Sequence, residues 1–265
     1  MSKEPSPPGQ QAALATTSQT APRATQDDLA NLEKGLLSDN QSLQMEAARK
    51  LRHLLSSDRD LLIHEVFRRN WVPYLLRWLR LRERPTLQVE ALWALTNVAA
   101  GTTEHTHVLI KNGAVPILVS LLDSPNDEVL EQSVWVLGNL AGEGPAARDA
   151  VLKAGVLTPL MRCMNENSKL SLLRIATWAC SNLCDGQPRP AFDINAVLPT
   201  LAKVSPDQTP FVLQLTPALV RRCWRKPTLR CSVMCAGRFL TCATGLAPTS
   251  SRWSAAMCAG GWSSC

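Results

Sequence analysis

Tryptophan and asparagine recur four positions apart in three apolar stretches: EALWALTNVAAG (Trp93, Asn97), QSVWVLGNLAGEG (Trp135, Asn139) and IATWACSNLCDG (Trp178, Asn182). On a helix, residues at that spacing share one face, a turn apart. Neither side chain is a nucleophile or a proton carrier, so the chemistry on offer is recognition. The primary amide of asparagine carries both a donor and an acceptor. It can therefore clamp the backbone N–H and C=O of an extended peptide without reading its side chains. The indole face attracts a Lys or Arg cation by about 0.5–2 kcal/mol, and slots between parallel indoles suit their aliphatic stems. Glu131 and Glu143 lie near the second copy and can neutralise such cations. The ligand implied is an extended run of Lys and Arg.

Catalytic chemistry has no comparable signal. His53, His64, His105 and His107 fall on predicted helices without a matching cysteine or carboxylate set, and no Walker-type loop, GxSxG or HExxH occurs. Cys231, Cys235 and Cys242 cluster, but the tail around them has no histidine and no C-x-x-C pair, which argues against zinc. The chain is read as a non-enzyme with no cofactor and no metal.

The elements that must position the pairs follow from their period. The tryptophans stand 42 and then 43 residues apart, the period of helical solenoids of the armadillo or HEAT kind. In such an array the third helix of each repeat lines the concave face, so the three pairs form a ladder along it. Leu29, Leu32, Leu36 and Leu37 make a first helical stripe. Leu43, Ala47, Leu51, Leu54 and Leu55 make a second, with Asp39-Asn40 as breaker and cap. Pro73 and Pro116 sit in the first turns of later helices, where a missing N–H costs nothing. Gly113 suits a left-handed helix end. The resulting division is a disordered segment over 1–26, rich in Pro, Ser, Thr, Gln and Ala, a repeat domain over 27–203, and a non-repeat tail over 204–265. The domain holds about three full repeats with partial ones at each end. The fold class is all-α, a right-handed superhelical armadillo solenoid, truncated, with disordered termini.

Charge and cysteine are lopsided toward the tail. The chain carries a net charge of +6, yet residues 204–265 hold seven basic groups and one acid, which leaves the first 203 residues neutral. The charge is thus poor evidence for nucleic-acid binding. No run of 18 apolar residues indicates a membrane span, and no apolar signal region opens the chain. Cys163, Cys180 and Cys184 sit in or beside apolar helices, as free thiols in a reducing compartment do.

The ladder, with ALWALTNVAAGT and EQSVWVLGNLAGEG around it, resembles the armadillo domain of importin-α (karyopherin-α), the nuclear-import adaptor. The resemblance covers about residues 43–203. It implies the major groove for nuclear localisation signals, formed by Trp93/Asn97, Trp135/Asn139 and Trp178/Asn182, and a protein that works in cytoplasm and nucleus. It also implies a pocket for the most critical cargo lysine at Gly101, Thr106 and Glu143, where glutamate replaces the family's aspartate and reaches one methylene further. Gln132 matches another groove-lining position. Importin-β is an expected partner of the family. Its basic binding segment is not recognisable here, since only Lys3 and Arg23 precede the helices and Lys34 alone stands between them and Arg49. Asp185 stands where a basic residue is common.

Two other readings compete. A different armadillo scaffold would hold another peptide, with basic groove residues for acidic ligands. A defective fragment would be unable to couple to importin-β. The second draws on the tail: codons for CSVMCAGRFLTCATG, read two bases later, give LSDVCWALSYLCDG, another repeat helix. Lys203-Val204-Ser205 also permits a splice-donor-like codon run, so the tail is expected to be out of frame. The transcript across codon 203 tests this.

Overall fold

The computed structural model describes residues 24–190 apart from 58, 166 and 189. The expected disorder before residue 24, the fourth unit opening at Ile194 and the out-of-frame tail lie outside the described residues. Among those residues the chain is all helix: α1 (Gln26–Leu37), α2 (Gln41–Ser57), α3 (Arg59–Arg68), α4 (Val72–Leu79), α5 (Pro85–Ala99), α6 (Thr103–Lys111), α7 (Ala114–Leu121), α8 (Asp127–Ala141), α9 (Pro145–Lys153), α10 (Leu157–Cys163) and α11 (Leu170–Leu183).

Local chemistry sets most of the ends. Thr25 caps α1 in a capping box: its hydroxyl accepts from the Asp28 N–H at 3.2 Å, and the Asp28 carboxylate accepts from the Thr25 N–H at 2.9 Å. Asn40 caps α2, its Oδ1 accepting from the N–H groups of Ser42 and Leu43. Asn126 does the same for α8 through the Val129 N–H at 3.0 Å. Gly113 and Gly155, one repeat apart, take the left-handed conformation at φ 77° and 81°, turning the first helix of a repeat into the second.

Three units, α3–α5, α6–α8 and α9–α11, repeat one three-helix plan, and α1–α2 precede them with a second and a third helix. The third helices stack in the order α2, α5, α8, α11, and among the described residues the α8–α11 and α5–α8 packings are the most extensive. Each interior third helix is covered on nearly every side. From Ala91 to Ala99 no residue of α5 is exposed, and the same holds from Gln132 to Ala141 in α8. A helix buried all round must be a middle layer, which is why α5 shows so little one-sidedness in sequence. The polar residues of both helices are buried with them: Thr96, Asn97, Ser133 and Asn139 are at most 5% exposed.

The outer helices keep the ordinary amphipathic stripe. Of the second stripe, Ala47, Leu51 and Leu55 are buried, whereas Leu43 in the first turn of α2 stays 40% exposed, since α1 covers the helix further along. Gly35 of α1 is the point of closest approach: a methyl there would stand 2.5 Å from the Ala47 side chain.

Candidate functional site

Each predicted pair lies on a third helix: Trp93 and Asn97 on α5, Trp135 and Asn139 on α8, Trp178 and Asn182 on α11. Stacking of those helices puts the pairs in sequence along one line, with a cation over the first ring and a ring contact between the last two. The Arg52 guanidinium of α2 lies 5.9 Å from the centre of the Trp93 ring. Trp135 and Trp178 have centroids 6.0 Å apart.

The expectation of parallel plates needs correction. The Trp135 and Trp178 planes are tilted by 45°. The reason is Gly138, three residues after Trp135. A methyl there would sit 2.2 Å from Cζ3 of Trp178, so the indole of α11 settles into the space a side chain would fill. Asn182 follows it, donating from Nδ2 to the Gly138 carbonyl at 3.0 Å. The three indoles are 5–9% exposed and the three amides 0–5%. The Asn97 side chain donates from Nδ2 to the Trp93 main-chain carbonyl one turn back at 3.1 Å, and the Asn97 main-chain carbonyl accepts from Arg59 at 3.1 Å.

The acidic residues are engaged by hydroxyls of other helices. Ser171 Oγ donates to Glu131 at 2.5 Å, and Thr103 Oγ1 donates to Glu143. A carboxylate has more acceptor sites than one hydroxyl uses. Thr103 stands at the start of α6. Gln132 is 5% exposed and its Oε1 has no hydrogen-bond partner. The indole N–H of Trp178 is likewise buried without one.

Gly101, Thr106 and Glu143 belong to the ends of α5, α6 and α8. Thr106 is fully buried in the first turn of α6. Gly101 is fixed by its own chain: a methyl would stand 2.4 Å from Nδ1 of His105. That nitrogen accepts from the Thr102 N–H at 3.1 Å, capping α6 as a glutamate does in a capping box, while the ring stacks on Phe67 at 4.6 Å. His105 is thus a helix-capping histidine. The signal was present as Thr102-x-x-His105.

Two buried groups of the site's surroundings were not singled out from sequence. Arg148, 0% exposed in the first turn of α9, donates to the carbonyls of Asp185 and Pro188 and pairs with Asp149 at 2.8 Å. It fixes the turn that leaves α11. Glu90, 8% exposed, meets Arg52 at 2.6 Å beside Trp93. Cys180, between Trp178 and Asn182, is fully buried, and burial pushes its thiol up to about 12, which keeps it an inert hydrophobe. Among the described residues no group of His, Cys, Asp and Glu could hold a metal, and no helix is long and apolar enough to cross a membrane.

Comparison with known proteins agrees with this geometry. Residues 102–142 and 144–185 match the armadillo/beta-catenin-like repeat. A designed armadillo repeat protein solved in complex with a (KR)4 peptide superposes with a TM-score of 0.57 at 22% identity, covering 80% of this chain and 99% of its own. Repeat match and stacked three-helix units together give the described residues an armadillo-repeat fold. The chain's resemblance to importin α is shown as well. Importin subunit alpha-2 of Arabidopsis thaliana is 50% identical over 171 residues, 64% of this chain and 32% of its own length. Importin subunit alpha-1b of Oryza sativa subsp. japonica is 47% identical over 167 residues, 63% of this chain and 31% of its own. The chain thus spans about a third of the length of the curated relatives it matches.

Proposed function

We propose that this chain is an importin-α-like adaptor whose third helices bind Lys/Arg-rich nuclear localisation signals of cargo proteins in the groove of Trp93, Asn97, Trp135, Asn139, Trp178 and Asn182. Gly101, Thr106, Glu131, Gln132 and Glu143 complete the site. The observation that carries the reading is the register: three indole–amide pairs follow one another on stacked helices, next to carboxylates and a buried, unpartnered Gln132 acceptor. Such a line grips backbone by amides and cationic stems by rings. The likeness to importin α subunits supports activity in nuclear import, in cytoplasm and nucleus. Importin-β remains an expected partner of that family, with no recognisable binding segment here. The groove as described uses no nucleic acid and no membrane.

Calorimetry of the full chain with an alternating Lys-Arg octapeptide tests the reading. Binding is expected at about micromolar Kd or tighter, with loss on replacing the central lysines by alanine. Equal affinity for the alanine peptide sinks it.

A further inference from the structure

Gly101 is counted in the cargo groove, yet a glycine has only its backbone to offer a ligand. It lies just past the end of α5, where the last carbonyls of a helix form its negative end and suit a cation. The Gly101 carbonyl and the Thr102 N–H belong to one planar peptide unit and point in opposite directions. Nδ1 of His105 accepts from that N–H at 3.1 Å. Fixing one end of the unit fixes the other, so the ring sets the direction of the Gly101 oxygen. We infer that His105, held by Phe67, is a positioning residue of the groove: it aims the Gly101 carbonyl at the ammonium of a cargo lysine. The inference rests on the cargo-groove reading.

Three observations favour this role over that of a plain helix cap. The first is contact. A methyl on Gly101 would stand 2.4 Å from the same Nδ1, so the ring lies against the residue it orients, and a side chain at 101 would displace it. The second is that the ring is itself fixed. It stacks on Phe67 of α3 with centroids 4.6 Å and planes 12° apart, so the acceptor is held from the preceding repeat rather than left to rotate. The third is register. One repeat of 42 residues on from Gly101 and His105 stand Glu143 and Ala147, and α9 begins at Gly144 with no side-chain cap. The repeat plan therefore requires neither the glycine nor the cap at this corner. Both occur at the corner that holds Thr106, the fully buried residue grouped with Gly101 in the groove. A hydrogen bond donated by the Thr102 N–H also polarises its peptide unit and makes the Gly101 oxygen the stronger acceptor.

The test is calorimetry of the full chain with a peptide of four lysines between Ala-Ala ends, and with each lysine replaced in turn by alanine. In the wild type one replacement is expected to cost about tenfold, as loss of an anchor does. His105→Ala should weaken the parent peptide by about fivefold and remove most of the cost of that one replacement, the mark of a coupled pair. His105→Leu, which fills space but accepts no hydrogen bond, should behave as His105→Ala. His105→Gln keeps a capping-box acceptor for the Thr102 N–H and should restore both the affinity and the lysine preference. Phe67→Ala, outside the groove, should weaken the parent peptide by about twofold through a looser ring. Thermal melts confirm that each variant folds. If folded His105→Ala and His105→Leu bind as the wild type does, the inference is overturned. It is overturned too if they weaken every peptide by the same factor, or if His105→Gln is as weak as His105→Ala. If the wild type responds to none of the four replacements, the cargo-groove reading has failed first and takes this role with it.

Discussion

At Gly138 the absence of one methyl sets how two repeats meet. The Trp178 ring fills that space and Asn182 bonds the same residue's carbonyl. Gly138→Ala is therefore expected to push the indole outward and cost about 1–3 kcal/mol, read as a lower melting temperature and an altered near-ultraviolet circular dichroism. The ladder residues themselves carry a different expectation. Asn139→Ala and Trp135→Ala should each weaken the basic octapeptide about tenfold or more, as the loss of a buried anchor does. Salt should weaken binding only in part, because ring packing and backbone clamps are not screened. Calorimetry at two ionic strengths checks both. A third effect belongs to Glu65, whose carboxyl is held down at about 2 by hydrogen bonds from Arg68 and Arg69. Its folded value lies below its ordinary 4.5, so its stabilisation is complete above that value and is lost as pH falls toward 2. Urea midpoints at pH 5 and pH 3 should differ less in Glu65→Gln than in the wild type. Arg69 also reaches Glu33 of α1 at 2.6 Å, which ties α1 to the end of α3.

Among the elements, starts and stops were the most legible part of the sequence because each rests on chemistry within a few residues. Asn40, Pro73 and Gly113 act on their own helix, and the structure uses each at that helix's end; the Asn126 cap of α8 works the same way. Asn126→Ala should accordingly cost about 1 kcal/mol through α8 alone, measurable as a shift in denaturant midpoint with unchanged slope. The period also helped place the third helices, since 42 and 43 residues suit a three-helix repeat. What the sequence did not disclose is how the elements hold one another. Arg59 with Asn97, Thr103 with Glu143, Ser171 with Glu131, Asn182 with Gly138 and Arg148 with Asp185 are all about one repeat apart in the chain. Such pairs have no local signature: neither partner is unusual until stacking brings it beside the other. The tilt of the rings and the Arg52 contact belong to the same category. The line of ladder residues could be read in advance, whereas their hydrogen-bond partners could not.

For the whole repeat stack, stability is a sum of units and of the interfaces between neighbours. Among the described residues, α5 and α8 are third helices packed between two others, and they bury the longest unbroken runs. Amide exchange should be slowest there and faster in α1, which packs chiefly on α2. Hydrogen exchange with mass analysis of peptides from 26–37 and 127–141 distinguishes this gradient from uniform protection. A basic peptide bound across the ladder contacts several repeats at once. It should therefore slow exchange in α5, α8 and α11 together, by the linkage between binding and folding.

The 6.0 Å, 45° arrangement of Trp135 and Trp178 has an optical consequence. Two strongly absorbing chromophores that close and at that angle mix their excited states, and a fixed skew between them rotates light in one sense. The third repeat and its neighbour thus carry an intrinsic dye pair. A cationic stem sliding between the rings would change their spacing and hence the sign or size of that signal, with no label attached to either molecule.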